Sequence, residues 1–244
     1  MYIDKRMIYI VMAIMAVSGI VGYMQNPEDL LNLLLTVPGL LVAITFHEFA
    51  HAFAADKLGD DTPRIQGRLT LNPLAHLDPI GCLMLLFAHF GWGKPVEVNP
   101  RNYDRRFSME KADSIVSIAG PLMNFFLAII FTIIYCILVK FAGDSMGASQ
   151  AGVIVMLMIR IAISINLGLG LFNLIPLPPL DGSKVIKPFL PYNAKNWIEN
   201  NERIFQIIFV ALWIIGLLGT IISPIISAVD KALLGLGFKI FGLL

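Results

Sequence analysis

Long apolar stretches separated by polar segments dominate the pattern of hydrophobic and polar positions along the chain. A helix that crosses a bilayer needs about 20 mostly apolar residues, and six stretches approach that length. They lie at about residues 7–24, 30–56, 112–141, 151–175, 204–223 and 224–242. The pattern predicts an all-α polytopic membrane protein with about six transmembrane helices, which form a single membrane-embedded domain over residues 1–244.

The two outermost stretches give the weakest helix signals. Residues 7–24 resemble a signal peptide, because Lys5 and Arg6 precede the apolar run. The run is long for the apolar region of a signal peptide and has no clear A-x-A cleavage site, so we expect it to be retained as a transmembrane helix. The stretch 224–242 is interrupted by charged residues, namely Asp230, Lys231 and Lys239.

Two shorter features lie between the second and third predicted helices. Residues 79–88 are apolar but too short to span a bilayer, and glycine and proline residues flank them. They predict a re-entrant hairpin or a sheet edge, which is stable at membrane depth only where protein or a wet cavity covers its backbone. The alternating sequence RLTLNP at 68–73 predicts a short strand. We therefore expect a short re-entrant or β hairpin in this segment.

The composition supports the membrane assignment. Hydrophobic residues make up 57% of the chain, charged residues make up 14%, and the mean hydropathy is +0.77. Soluble domains average about 25% charged residues. The net charge of +1, without a basic face that carries aromatic residues, does not indicate nucleic-acid binding. The two cysteines, Cys82 and Cys136, form no CxxC motif and predict core packing.

Positive charges are distributed unevenly between the two ends of the predicted helices. Fourteen lysines and arginines lie before the first helix, between the second and third, and between the fourth and fifth, whereas only Lys140 lies near a loop on the other side. Cytoplasmic loops carry an excess of Lys and Arg. The distribution therefore predicts that both termini and the two long loops are cytoplasmic.

The sequence HEFAH at 47–51 lies in the second predicted helix. His47 and His51 are one helical turn apart, so their side chains share one face, with Cβ atoms about 5–6 Å apart. Two imidazoles at that spacing can bind one zinc ion, and Glu48 beside them can take a proton from water and deliver it to a leaving amine. Ionisable groups inside a membrane are functional by default. The alternative is an interhelical hydrogen-bond cluster, which does not need this spacing.

A third protein ligand is expected, because a catalytic zinc ion usually has three and keeps one position open. The candidates are Asp56, Asp78, Asp113, His76, His89 and Asp181. Asp181 follows a proline-rich segment that breaks the fourth helix on the same side as HEFAH. Membrane proteins build ion sites from such unwound segments. The alternative for Asp181 is to cap the following turn, since Asp-Gly is a favourable turn pair.

The combination of HExxH on one helix with NxxPxPxxDG at 173–182 resembles the site-2 proteases, a family of intramembrane zinc metalloproteases. Other segments resemble the compact prokaryotic branch of that family, namely GRLTLNP at 67–73, HLD at 76–78, GKPVEVNP at 93–100 and AGPLMN at 119–124. The resemblance covers about residues 37–190. Many members of the family carry a PDZ or CBS domain, and we expect neither in this chain.

The resemblance implies a role for each matching residue. Residues His47, His51 and Asp181 would hold one zinc ion per chain, and Glu48 would be the general base and acid. The resemblance also places Asn173 and Asn124 in the cleft, where an amide can bind substrate backbone or a developing oxyanion. An interhelical hydrogen bond is the alternative for both asparagines.

The resemblance further implies an endopeptidase in a prokaryotic cell membrane, with its active site on the cytoplasmic side. Its substrates would be single-pass membrane proteins or signal-peptide remnants within the lipid bilayer. The helices at 204–223 and 224–242 are candidates for a lateral gate. The oligomeric state is not predicted.

Two other classes of function fit parts of the sequence. Histidines and carboxylates in a membrane also line ion pathways, as in a metal transporter. An inactive membrane scaffold stabilised by zinc is the second alternative. Neither needs Glu48 beside the two histidines, so its presence favours the peptidase.

Overall fold

The regular structure is helical in the part of the chain that the structure, a computed structural model, describes: residues 17, 19–88 and 93–243. The helices with described bounds are α1 Pro27–Lys57, α2 Thr62–Ile65, α3 Pro79–Ala88, α4 Met109–Gly147, α5 Gln150–Asn173, α6 Asp181–Ile186, α7 Tyr192–Asn200, α8 Glu202–Ile214 and α9 Leu217–Phe241. Short 3₁₀ turns lie at Pro73–Ala75, Pro100–Asn102 and Lys187–Phe189. Residues 19–25 are also helical. Most of the helix predicted at 7–24 lies outside the described residues.

Among the described residues, four helices are long and apolar enough to cross a membrane: α1, α4, α5 and α9. Local sequence determines where they begin. Pro27 occupies the first turn of α1, followed by Glu28 and Asp29, whose charges suit the positive end of the helix dipole. Ser108 caps α4 by accepting a hydrogen bond from the Lys111 N–H. The chain is therefore a multi-pass membrane protein.

The predicted boundary between the last two spans is wrong. The chain breaks at Gly216, between α8 and α9, and Pro224 lies inside α9. Gly216 has a φ of 72°, a left-handed conformation that glycine adopts without steric cost. Helix α8 has only 13 residues, which is too short to cross a bilayer.

The strand predicted between α1 and α4 is wrong, whereas the re-entry of residues 79–88 into the membrane stays a prediction. No strand occurs there among the described residues, and the β pairing is a single bridge between Leu77 and Gly93. Residues 79–88 form helix α3, because Asp78 accepts the Gly81 N–H and the helix begins with a proline. At 68–73 the Asn72 side chain accepts the Leu74 N–H and starts a 3₁₀ turn instead of a strand.

Helices α1, α4 and α5 pack closely through small residues. Ala43 and Ala52 of α1 and Ala128 of α4 are fully buried. A Cβ atom added at Gly39 of α1 would lie 3.1 Å from the Cα atom of Ala162 in α5. Small residues let helix backbones approach inside a membrane, where packing drives association. The HEFAH face of α1 is thereby held against α4.

Helix α9 packs against α4 and α5 through apolar side chains, and polar and aromatic contacts attach α8 and α9 further. Arg160 of α5 donates two hydrogen bonds to Asp230 of α9, at 3.1 and 2.8 Å. Its guanidinium also lies 5.7 Å from the centre of the Tyr135 ring in α4. On the other side, Phe172 at the end of α5 contacts the ring of Trp213 in α8, with centroids 5.3 Å apart.

Candidate metal centre and active site

The two histidines of HEFAH lie on the buried face of α1. His47 is 5% exposed and His51 is 8% exposed. Their Nε2 atoms are 3.0 Å apart. The helical spacing therefore brings both rings to one point, as the sequence predicts.

Asp181 reaches the same point from the segment after α5. Its Oδ2 atom lies 3.2 Å from Nε2 of His47 and 3.2 Å from Nε2 of His51. Asp181 is the first residue of the short helix α6, whose N-cap residue, Leu180, makes no side-chain cap. The Asp181 carboxylate thus faces the two histidines, in agreement with the ligand interpretation rather than with the turn cap.

Hydrogen bonds on the far side of each ring determine which nitrogen carries the proton. Nδ1 of His47 lies 2.6 Å from Oδ1 of Asn124, and Nδ1 of His51 lies 2.7 Å from the carbonyl oxygen of Val116. Both partners only accept, so each Nδ1–H donates and each neutral ring has an unprotonated Nε2. Two imidazole lone pairs and a carboxylate oxygen therefore converge, an arrangement that a cation stabilises.

The backbone of α4 forms one wall of the site at Gly120. A Cβ atom there would lie 2.4 Å from Nε2 of His51 and 2.7 Å from Nε2 of His47. Only glycine leaves this space open. Zinc with bonds of about 2.0–2.1 Å holds tetrahedral ligands about 3.3 Å apart, and the three ligand atoms are separated by 3.0–3.2 Å. The residues present therefore fit a zinc ion.

Glu48 lies beside the metal-binding face and is partly buried. Its Oε2 atom accepts a hydrogen bond of 2.8 Å from the backbone N–H of Val96. Because that donor is a backbone group, no side-chain pattern identifies it. In the sequence, the segment GKPVEVNP at 93–100 resembles the family. The resemblance does not reveal that this segment contributes the Val96 N–H to Glu48.

The two predicted cleft asparagines lie in different settings. Asn124 is fully buried, and its Nδ2 donates to the Ala43 carbonyl oxygen and to Oδ1 of Asn166, both at 3.0 Å. The amide oxygen of Asn124 therefore holds the His47 ring at Nδ1, on the side away from the metal site. Asn173, at the end of α5, donates one hydrogen bond of 3.0 Å to the Leu169 carbonyl oxygen, and its amide has a second hydrogen.

The other candidates for the third ligand have different surroundings. Three of them have hydrogen-bond partners elsewhere: Arg64 for Asp56, the Gly81 N–H for Asp78, and the Thr70 carbonyl oxygen for His76. Asp113 lies near Tyr103, and His89 lies outside the described residues. Within the described ranges, the group of His47, His51 and Asp181 can share a metal ion.

Known proteins similar to this chain are peptidases. Residues 96–216 match the family described as Peptidase family M50. The chain is 39% identical over 202 residues to "Putative zinc metalloprotease YwhC" of Bacillus subtilis (strain 168), covering 83% of this chain and 90% of that protein. It is 29% and 32% identical over 160 residues to two proteins named "Putative zinc metalloprotease Rip2", from Mycolicibacterium smegmatis and Mycobacterium tuberculosis. Those matches cover 64% of this chain and 58% and 57% of the relatives. No solved structure matches the chain.

The protein belongs to peptidase family M50, the site-2 protease family, and is a zinc metalloprotease of that family. The family match includes Asp181 but begins after HEFAH. The alignment with the Bacillus subtilis protein covers 202 of the 244 residues. An aligned stretch of that length starts no later than residue 43 and therefore includes both parts of the metal centre.

Proposed function

We propose that the protein is an intramembrane zinc endopeptidase, a single catalytic unit over residues 1–244 that hydrolyses peptide bonds of membrane-spanning substrates. The observation that carries the proposal is the convergence of His47, His51 and Asp181 at the surface of α1, with Glu48 one residue from a ligand. These three ligands would hold one zinc ion per chain. A purely structural metal site does not need a carboxylate base at its side.

Each nearby residue has a task in that reaction. Bound zinc would supply a Lewis acid that polarises the substrate carbonyl and acidifies water. Glu48 accepts the proton of the attacking water and delivers it to the leaving amine. Asn124 holds the His47 ring in the orientation that directs Nε2 into the site. The remaining amide hydrogen of Asn173 is the candidate donor to the developing oxyanion.

Single-pass membrane proteins and signal-peptide remnants are the proposed substrates. The ligands come from a membrane-spanning helix and from a segment that directly follows another, so a substrate within the bilayer can approach them. The substrate must unwind locally, because a helix keeps its carbonyl groups in internal hydrogen bonds. The distribution of lysine and arginine supports a site on the cytoplasmic side, in a prokaryotic cell membrane.

Metal content and cleavage, measured together, test this function. Purified wild-type protein should contain about one zinc ion per chain and cleave a single-pass membrane substrate in detergent or vesicles. Asp181→Ala should fold, lose most of the zinc and stop cleaving, because two ligands hold zinc weakly. The matched control is Asp56→Ala, which removes a carboxylate that pairs with Arg64 instead. Equal zinc in wild type and Asp181→Ala would refute the site.

The same preparations separate the alternative functions. A metal transporter should move zinc across vesicles that contain the protein, and that flux should persist in Glu48→Gln. An inactive scaffold should bind zinc and show no cleavage of any membrane substrate. Zinc flux without cleavage would therefore replace the peptidase proposal.

A further inference from the structure

The carboxylate of Glu48 is fixed at one of its two oxygens. Oε2 accepts the N–H of Val96, a residue 48 positions further along the chain. A glutamate side chain has three rotatable bonds and otherwise samples several orientations. The hydrogen bond leaves Oε1 as the oxygen that can exchange a proton. The geometry of the base therefore depends on where residue 96 lies.

The segment that carries Val96 has no regular structure of its own. Residues 94–99 are neither helix nor strand. Hydrogen bonds at its two ends position it: the Lys94 N–H donates to the His76 carbonyl oxygen at 2.8 Å, and the Asn99 N–H donates to Oδ2 of Asp60 at 2.6 Å. It follows that contacts from outside the segment determine the position of the Val96 N–H.

Arg68 supplies the contact nearest to Val96 on the amino-terminal side. Its guanidinium is buried, with the residue 4% exposed. Nη2 donates to the Lys94 carbonyl oxygen, and Nη1 donates to the Ala75 carbonyl oxygen. One planar group thus joins two loop backbones with donors of fixed relative geometry, which a flexible ammonium does not provide.

The burial of Arg68 is costly, although its guanidinium joins two loop backbones. Its Nε atom has no hydrogen-bond partner, and among the described residues no carboxylate is bonded to the guanidinium. Burial lowers the pKa of Arg68, while the charges of Glu48 and Glu97 act in the opposite direction. A buried charge without a bonded counter-ion is unfavourable for stability alone. The nearby Glu48 carboxylate indicates that the cost serves the active site.

We propose that Arg68 is a positioning residue for the peptidase reaction: by holding the Lys94 carbonyl oxygen, it places the Val96 N–H so that Glu48 is bound at Oε2 and presents Oε1 to water. Arg68 touches neither the metal ligands nor, in this role, the substrate. The inference rests on the proposed function, because it assigns Arg68 a part in that reaction. The arrangement of hydrogen bonds itself exists whether or not the protein cleaves peptides.

Residue-resolved hydrogen exchange tests the arrangement without any substrate. In folded Arg68→Gln, the Val96 amide should exchange about tenfold faster or more than in wild type, because a hydrogen bond to a charged acceptor is lost. Glu48→Ala, which removes the acceptor, should accelerate the same amide. Arg64→Gln is the matched control, since Arg64 lies four residues before Arg68, is exposed and pairs with Asp56. Unchanged Val96 exchange in Arg68→Gln would overturn the proposal.

Kinetics then distinguish positioning from general support of the loop. Arg68→Gln should lower kcat about tenfold or more with a single-pass substrate, while KM and zinc content stay near wild type, because only the orientation of the base changes. Val96→Pro removes the N–H and should reproduce this loss, whereas Val96→Ala keeps the N–H and should not. The double variant Arg68→Gln/Val96→Pro should lose no more than either alone. Additive losses, or lost zinc, would contradict the positioning role.

Two further cases are covered: a variant that does not fold, and a wild-type protein that does not cleave. If Arg68→Gln does not fold, Arg68→Lys keeps the buried charge but not the fork, and the same exchange and kcat measurements apply to it. If wild-type protein shows no cleavage at all, the proposed function fails while hydrogen exchange still decides whether Arg68 positions Val96. Cleavage by wild type with normal kcat in Arg68→Lys and Arg68→Gln would sink the inference and leave the peptidase intact.

Discussion

Helix α8 near the carboxyl end and the helices around the metal centre are held in place by different interactions. Around the site, α1, α4 and α5 interlock through small residues, and hydrogen bonds run from His47 through Asn124 to Asn166. At the carboxyl end, α9 packs against α4 and α5 through apolar side chains and the Arg160–Asp230 ion pair, whereas α8 is joined to α5 by an aromatic group. Their exposed apolar side chains include Ile204, Ile207, Val210, Ile221 and Ile225.

The difference indicates which part of the protein can move. Lipid tails are as apolar as leucine, so helices in a membrane associate through close packing and polar contacts rather than through the hydrophobic effect. Helix α8 has fewer such contacts than α9 and therefore separates from the other helices at lower cost. Catalysis requires ligands held in place, whereas a membrane-spanning substrate requires an entrance. We therefore expect α8 to border the path by which substrate enters.

The largest effect is expected at Glu48. Glu48→Gln keeps the size of the side chain but cannot accept the proton of water, so the cleavage rate should fall by about 10³-fold. Zinc content should remain at the wild-type value, since Glu48 is not a ligand. Rate and metal content measured on one preparation check this. Cleavage within tenfold of wild type would remove Glu48 as the base.

Gly120→Ala should remove the metal from an otherwise folded protein. The new methyl group would lie 2.4 Å from Nε2 of His51, so the histidines must move, and we expect zinc affinity to fall by about 100-fold. Competition with a chelator measures that affinity. Gly143→Ala, in the same helix but with no atom within 4 Å of the new Cβ, is the matched control. Equal affinity in both variants would show that α4 does not shape the site.

Breaking the ion pair between α5 and α9 should affect stability more than chemistry. Asp230→Asn leaves the Arg160 charge without its partner and should lower the free energy of unfolding by about 1–2 kcal/mol. The cleavage rate at saturating substrate should stay within about twofold. Replacement of both partners, Arg160→Met with Asp230→Leu, should recover most of the loss. Asp144→Asn, an exposed carboxylate, is the control. A large fall in kcat would mean that the two regions are coupled.

The smallest expected effect is on the pH dependence of stability, and it comes from a carboxyl group outside the membrane-spanning helices. Burial raises the pKa of the Asp60 carboxyl, but hydrogen bonds from Thr62, Asn99 and Asn102 outweigh it and hold the pKa below its ordinary value of 3.8. The carboxylate therefore stabilises the folded loop fully above about pH 3.8, and that contribution is lost as the pH falls through the lower folded-state pKa.

Asp60→Asn should accordingly lower Tm by about 2–4 °C at neutral pH and flatten the dependence of Tm on pH below 3.8. Melting curves between pH 6 and pH 3 measure both effects. Asp61→Asn changes the neighbouring, exposed carboxyl and should leave the curve as in wild type. A wild-type Tm that is already independent of pH in this range would contradict the role of Asp60.

The metal centre shows which ligands could be predicted from the sequence and which could not. The spacing of His47 and His51 places two ligands on one helical face, because the α-helix repeats every 3.6 residues. The third ligand was one of six candidates. Contacts with Arg64, Gly81 and Thr70 exclude three of them, and those contacts join residues whose proximity no local pattern reveals. The proline-rich break before Asp181, on the same side as HEFAH, favoured that residue, and the resemblance to site-2 proteases implied the same ligand.

The segment between α1 and α4 shows the opposite case, in which a local signal was present and was misread. Asp78 and Pro79 are a typical helix start, with a capping side chain followed by a residue that needs no N–H donor. The apolar character of 79–88 suggested a hairpin instead. The hydrogen bond from the Val96 N–H to Glu48, and the contact of Arg68 with the neighbouring backbone, could not have been predicted. Backbone donors and acceptors are present at nearly every residue, so the pattern of side chains does not identify them.

The length of α8 has a consequence for the surrounding lipid. Its 13 residues rise about 20 Å, roughly two thirds of the 30 Å hydrocarbon core of a typical bilayer. Helix α4, with 39 residues, is longer than the core is thick. A bilayer accommodates a short apolar segment by thinning beside it. We therefore expect the hydrocarbon core to thin beside α8, which makes acyl-chain length a variable that acts on one side of the peptidase.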